Sequence, residues 1–253
     1  MAGKPDFSHR SKEKELLDRD DIPFEDIRLN MLELDTINTW LGGHAISIRG
    51  IRQLLSAMKF GFPQREGTSW RDPRQISVCE IGCGGGDNLQ VLSRKCRQWN
   101  ISVNAIGIDN NAHCISVAQQ QWKEGEARWI HSDYRDIEFG DKKPDIIFSS
   151  LFCHHFSDEQ LVGMLQWMER NAGTGWFIND LHRHPLAWNS IRLLTRLFSR
   201  SYLVRNDAPL SVLRGFSRRE WENILQEAGI GECSLQWKWA FRWLVVRKKR
   251  LRN

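Results

Sequence analysis

No uninterrupted apolar run approaches the ~20 residues needed to cross a bilayer. The opening Met-Ala-Gly-Lys-Pro-Asp also lacks the apolar centre of a secretion signal, so the expected compartment is the cytoplasm. Pairs of the form Cys-x-x-Cys are absent, and the six cysteines, at 79, 83, 96, 114, 153 and 233, follow no metal-ligand rhythm. They read as reduced, packed thiols, and no metal is expected. Internal repeats and low-complexity tracts are missing as well. What is present is ordinary globular material: 253 residues, 41% hydrophobic and 26% charged, long enough to bury a substantial core. The net charge of +5 is concentrated in Arg183–Arg205 and in Arg247, Lys248, Lys249, Arg250 and Arg252. Such runs can meet nucleic acid or an anionic membrane; a solvated face and a frayed tail is the simpler reading. Twelve tryptophans favour large apolar contacts, in the core or around an aromatic ligand.

The most informative stretch is Val-Cys-Glu-Ile-Gly-Cys-Gly-Gly-Gly-Asp-Asn-Leu, residues 78–89. Ile76, Val78 and Ile81 read as a buried strand, Gly82, Gly84, Gly85 and Gly86 as a tight turn, and Asn88 onward as a helix. Glycines let a bulky ligand lie against bare backbone and accept positive φ without steric cost. A helix start offers unpaired N–H groups to a carboxylate or phosphate. A glycine loop alone says little. Glu80 sharpens it, because the spacing becomes Glu-x-Gly-x-Gly-x-Gly in place of the dinucleotide fingerprint Gly-x-Gly-x-x-Gly. In that form the stretch resembles the first motif of the class I S-adenosylmethionine (SAM) dependent methyltransferases.

The remaining chain is consistent with that fold. Residues 1 to about 22 are charge-rich and bounded by Pro5 and Pro23, which predicts a mobile or loosely helical leader. Helical spacing follows over 24–40 and 45–60, separated by Gly42 and Gly43; these read as a C-cap rather than a hinge that would bring His44 to the cofactor. A linker spans 61–74. Strands are expected at 77–81, 104–108, 127–131, 145–149 and 175–179, with helices at 88–98, 112–123 and 158–171. Alternation of this kind predicts an α/β fold, a doubly wound parallel sheet with helices on both faces. Capping-box patterns at Ser157-x-x-Gln160 and Ser217-x-x-Glu220 mark two helix starts. The alternating residues 233–246 read as a final antiparallel pair. The resemblance implies a Rossmann-like seven-stranded sheet, mostly parallel with an antiparallel last strand, plus N-terminal helices. The expected division is 1–74 for the leader and capping helices and 75–253 for the core, with a substrate lid at about 183–215.

Ligands of open sheets bind beyond the carboxyl ends of the strands, where the winding reverses. Asp109 ends the second strand, where a carboxylate can accept from two ribose hydroxyls at roughly 1.5–3 kcal/mol each. No Arg or Lys stands beside it to accommodate a ribose 2′-phosphate, which argues against NADP. Asn110 belongs to the same expected set. The resemblance further implies that Glu80 orients the methionine part above Gly82, Gly84 and Gly86, that Asp133 accepts from the adenine amino group with Tyr134 over the ring, and that Ser150 lies beside the sulfonium. Asn88 is expected to cap its helix in preference to facing the ligand.

Methyl transfer requires chiefly alignment and exclusion of water, and a base only if the acceptor is protonated at neutral pH. His154 and His155 follow the fourth strand, His182 and His184 the fifth. His155 and His182 are the first choices for contact with the acceptor, followed by His154. Apart from Asp180, no acid is placed as in the metal-dependent catechol branch. After the fourth strand the sequence reads Ser-Ser-Leu-Phe-Cys-His-His-Phe, not the Asn/Asp-Pro-Pro-aromatic motif of enzymes that methylate amide or base nitrogens. Trp188, Ile191, Leu194 and Phe198 share a face in the expected lid, while Arg192, Arg196 and Arg200 recur at every fourth position. This is a cationic amphipathic helix, suited to packing on the core, to covering a greasy substrate, or to docking on anionic membrane. Around it the phrases His-Arg-His-Pro-Leu-Ala-Trp and Asp-Ala-Pro-Leu-Ser-Val-Leu-Arg-Gly-Phe-Ser resemble bacterial methyltransferases of aromatic polyketide and quinone-like pathways. The expected activity is O-methylation of a small phenolic or polyketide-like acceptor. C-methylation of a quinol ring, RNA or protein methylation, and SAM binding without catalysis stand as alternatives.

Overall fold

Apolar side chains on neighbouring positions of the central strands belong to opposite faces of one sheet, and each face has its own core. The computed structural model describes residues 5–58 and 74–249. Along β5 (Gly175–Leu181), Trp176 and Ile178 join one buried cluster and Phe177 the other; along β7 (Arg242–Lys248), Val245 faces the first cluster and Leu244 and Val246 the second. This period of two requires cover on both faces. Helices α5 (Asp158–Asn171) and α8 (Arg218–Glu227) cover one, with Leu161, Met164, Leu165 and Trp221. On the other lie α2 (Gly43–Ala57) and α3 (Asp87–Gln98), with Ile51, Leu54, Leu55 and Leu89.

The remaining strands are β1 (Arg74–Ile81), β2 (Ile101–Asp109), β3 (Ala127–His131), β4 (Ile146–Ser150) and β6 (Cys233–Lys238). Their order is β3-β2-β1-β4-β5-β7-β6, and only the pairings of β7 with its neighbours are antiparallel. The winding therefore reverses between β1 and β4, which puts the crevice beside Ile81 and Ser150. Around it stand α1 (Phe24–Trp40), α4 (Ala112–Gln121), α6 (Pro185–Phe198) and α7 (Tyr202–Arg214). Both expected capping boxes are formed, at Ser157 with Gln160 and Ser217 with Glu220.

Four expectations need correction. The leader is not loose: the Ser11 N–H donates to the Leu213 carbonyl, and the Leu16 and Leu17 N–H groups donate to the Asp207 carboxylate at 2.8 and 3.0 Å. It lies as a strap along α7. The helix after the glycine bend starts at Asp87, with Gly86 as its N-cap, and Asn88 instead accepts from Ser47 Oγ at 2.9 Å. The basic tail is not frayed where it is described, because β7 runs to Lys248 and Arg247 pairs with Glu169 at 3.3 Å. The segment 183–215 holds a second helix, α7, beyond the expected amphipathic one, α6, and Arg183 ahead of α6 is buried on Glu220 at 2.8 Å. The linker at 61–73, the end of the second expected helix and residues 250–253 lie outside the described residues.

Candidate active site

At the tip of β1 the chain turns on glycines. Gly82, Gly84 and Gly86 have φ of 66°, 50° and 76°, a region that favours glycine. A Cβ on Gly82 would lie 2.2 Å from the Phe152 ring. The bend is pinned to β2 by Asp109: its Oδ2 accepts from the Gly84 N–H at 2.8 Å and its Oδ1 from the Asn111 N–H at 2.9 Å. Each carboxylate oxygen keeps a further lone pair for a ligand. Burial raises the Asp109 pKa, and these two amides offset it in part. Glu80 is fully enclosed beneath the bend, where Oε2 has no partner. Burial first, then the charges of Asp87 and Asp109, lift its pKa well above the carboxylate range.

A cavity of about 1340 Å³ opens over this bend, lined by Glu80, Gly82, Gly84, Asp109, Asn110 and Ser150 from the expected set. His154 and His155 line it too. The structure does not bring Asp133, Tyr134, Gly86 or His182 to its wall. Asp133 is held by Arg135, whose Nε and Nη2 donate at 3.0 and 2.6 Å, and that bonding lowers its pKa. Tyr134 is buried edge-on to Trp167, with ring centroids 5.3 Å apart. Gly86 caps α3 beneath the Trp129 ring. His182 accepts from Trp237 Nε1 at 3.1 Å, and burial, with the charges of His184 and Arg183, lowers its pKa. His44, likewise buried, bonds Asp87 at 2.8 Å through Nε2.

The two cavity histidines sit on a turn organised by Asp180 of β5. Its Oδ2 accepts the N–H groups of Phe152 and Cys153 at 3.1 and 2.8 Å, and Oδ1 lies 2.8 Å from His154 Nδ1. These bonds hold Leu151 at φ 53°, a sparsely populated conformation for a side-chain-bearing residue and common at functional sites. His154 Nε2 faces Glu15 of the strap at 3.4 Å. Burial pushes the imidazole down, but Asp180 and then Glu15 outweigh it and hold the pKa at about 9. Glu15 and Asp180 move the other way: burial opposes ionisation, and the histidines overcome it. His154 is thus a cation at neutral pH and cannot accept a proton there. In His155, Nδ1 is 3.2 Å from Asp18 but forms no aligned hydrogen bond, and Nε2 is 3.7 Å from Glu15, beyond hydrogen-bond range. Neither ring nitrogen is committed.

Sequence reading missed Glu15, Asp18 and Arg242. Arg242, at the start of β7, is buried and lines the cavity; Nη2 donates to Asn38 Oδ1 at 3.0 Å, whereas Nη1 has no partner. Burial lowers its pKa to about 10 against the pull of Asp180 and Asp87. The only local hint was a charged residue set between Phe241 and the apolar run 243–246.

Residues 78–175 match the family model described as "Methyltransferase domain". Over these residues the chain carries a methyltransferase domain. That match holds the glycine bend, Asp109 and both cavity histidines, while the strap, Asp180, α6, α7 and Arg242 lie outside it. No curated protein matches the sequence. Among solved structures, the plantazolicin methyltransferase BpumL in complex with SAH is 14% identical with a TM-score of 0.59, covering 90% of this chain and 96% of that one. Magnesium protoporphyrin IX methyltransferase (ChlM) from Synechocystis PCC 6803, with bound SAM, is 12% identical at a TM-score of 0.51, over 84% of this chain and 82% of that one. Human N-acetylserotonin methyltransferase in complex with SAM is 16% identical at 0.54; 88% of this chain aligns with 55% of that protein. At these identities the likeness establishes the methyltransferase fold.

Proposed function

We propose that this methyltransferase alkylates an oxygen of a small hydrophobic acceptor, of phenolic or polyketide-like type, held in the same cavity as the cofactor. One observation carries the reading. The cavity joins two buried ionisable groups, an acid and a base, each with one unsatisfied atom, to an apolar wall made by Ile37, Leu41, Ala187, Ile191, Val212 and Phe241. Glu80 Oε2 and Arg242 Nη1 together suit the ammonium and carboxylate of an amino acid, the methionyl part of SAM. Both feel the charge of Asp87. A volume of about 1340 Å³ exceeds the roughly 300–1,000 Å³ of a one-ligand pocket and leaves room for a second molecule.

Bound SAM supplies both the electrophilic methyl group and its leaving group. The chain's own residues do the rest. Asp109, pre-set by two backbone donors, accepts from ribose hydroxyls, with Asn110 beside it. Ser150 and the bend at Gly82 and Gly84 keep bulk away from the reacting centre. His155 accepts the acceptor's hydroxyl proton at Nε2, and Glu15 and Asp18 stabilise the imidazolium that results. His154 acts as a positioning residue, tying the strap to Asp180. The segment 183–215, folded as α6 and α7, serves as the lid, appended to a core that begins near residue 75. Free thiols at all six cysteines accord with a reducing cytoplasm. Engagement of Arg247 with Glu169, and of Lys249 with the Glu169 and Ala172 carbonyls, disfavours the nucleic-acid alternative.

The test is incubation with methyl-labelled SAM and a panel of phenols, quinols and resorcinol lipids, followed by mass spectrometry. An O-methylated product is expected, with turnover falling about 10²–10⁴-fold in His155→Ala. Product on carbon, or turnover indifferent to His155, contradicts the assignment.

A further inference from the structure

Helix α6 is buried along Ala187, Ile191 and Thr195, which is ordinary. Its opposite face is not. Leu186, Leu193 and Leu197 fall on one outward stripe, at exposures of 62%, 58% and 63%, with Phe198 at 72%. Successive members lie seven and four residues apart, within about 20° of a common direction on a 3.6-residue helix. A stripe of leucines facing away from the core has no folding role and marks a contact with something else.

Along the chain its charges are of one sign, and Glu33 of α1 meets it only at its C-terminal end, on the Arg200 and Ser201 N–H groups. From Leu181 to Asn206 there is no acidic residue, and Arg192, Arg196 and Arg200 are exposed. Arg192 lies over the Trp188 ring at 4.9 Å. The same neighbourhood carries aromatic tips. Ala187 and Phe241 share a cluster with Leu41, whose neighbour Trp40 is 79% exposed; Trp239, 73% exposed, approaches Gly42 through its carbonyl. Trp239, Phe241, Ile191 and Leu194 also line the cavity. Leu194 of α6 and Trp239 thus reach the cavity wall from elements that also carry the exposed leucines, arginines and tryptophans. Tryptophan suits the boundary between hydrocarbon and water, and a helix with an apolar stripe beside arginines lies in the headgroup plane of an anionic bilayer.

We propose that the α6 stripe and the Trp40–Trp239 rim are a membrane-docking surface that seats the cavity mouth on an anionic lipid bilayer. Protein docked this way takes its acceptor from the lipid phase, which accounts for an apolar cavity wall continuous with an apolar outer surface. The lipid source of the acceptor rests on the methyltransferase reading above; the docking itself does not. Among the described residues no helix is long and apolar enough to cross a membrane, so the association is peripheral. Arginine supplies attraction to anionic headgroups, and leucine and tryptophan supply insertion.

The experiment is co-flotation of the full chain with vesicles of phosphatidylcholine alone or mixed with phosphatidylglycerol, without any acceptor. Leu193 and Leu197 do not line the cavity, so the double variant Leu193→Ser/Leu197→Ser serves as the probe. The expected result is salt-sensitive binding to the anionic vesicles only, reduced at least about tenfold in the variant while S-adenosylhomocysteine binding, measured on the same samples, is unchanged. Light scattering is recorded in parallel. A dimer dissolved by the same two substitutions, without vesicle binding, assigns the face to a second copy and overturns the proposal. A monomer that ignores both vesicle types also overturns it. Loss of S-adenosylhomocysteine binding in the unsubstituted chain would strike the methyltransferase reading instead, and leaves the flotation result to decide docking.

Discussion

Glu80 and Arg242 are each buried with one atom unsatisfied, a state that costs free energy unless a ligand completes it. Removing the Glu80 charge in Glu80→Gln should weaken SAM by about 10- to 100-fold, as expected for a charge-assisted bond of roughly 1.5–3 kcal/mol, measurable by calorimetry. Because the Glu80 pKa is raised before the ligand enters, and an ammonium favours the ionised form, SAM affinity should rise with pH from the acid side. Glu80→Gln should flatten that dependence. Arg242→Met should weaken S-adenosylhomocysteine by a similar factor yet hardly affect 5′-methylthioadenosine, which lacks the carboxylate. Equal loss for both ligands would remove Arg242 from the methionyl site. Gly82, Gly84, Glu80 and Asp109 were legible in the sequence because strand, bend and helix are consecutive, and local spacing fixes local geometry. Spacing alone did not show that Asp133 would pair with Arg135, two residues on, away from the cavity wall. The place of Arg242 in the site was not legible, since only the sheet order brings the start of β7 beside α1.

Among the elements, the strap is what the sequence concealed. Its charges look solvated when read along the chain, but Glu15 is buried between His154 and Ser211, and Arg10 spans Asp158 and the Phe156 carbonyl at 2.6 and 2.7 Å. Those partners lie more than 130 residues away, so no local period could announce them. The Glu15–His154–Asp180 chain gives the molecule a titration signature. The His154 pKa stands at about 9, against 6.5 for an ordinary histidine, so its contribution is complete below pH 6.5 and is lost as pH rises through about 9. It is on the order of 3 kcal/mol. Glu15 and Asp180, held low, contribute above the ordinary carboxylate range and lose that contribution as pH falls below about 4. Thermal unfolding between pH 6 and 9.5 should show a falling midpoint in the native chain and a flatter one in His154→Gln. Glu15→Ala removes one partner from a buried ion pair and should destabilise by about 3–5 kcal/mol. A stable Glu15→Ala variant with unchanged pH response would mean that the strap is not fastened there.

Over the whole molecule, alternating strands and helices were enough to expect a doubly wound sheet, and the reversal between β1 and β4 put the cavity where open α/β sheets place ligands. The division of residues 183–215 into α6 and α7 and the seating of the strap across α7 depend on tertiary contacts such as Asp207 with Leu16 and Leu17, which composition does not encode. These parts fall outside the matched domain, and they line the same cavity. The cofactor side can be tested without knowing the acceptor. Titration calorimetry of S-adenosylhomocysteine into the native chain and into Asp109→Asn addresses it directly: saturable one-site binding, weakened at least about tenfold by the substitution, is the predicted result. Absence of binding to the native chain, or binding indifferent to Asp109, would contradict the cofactor site built on the glycine bend.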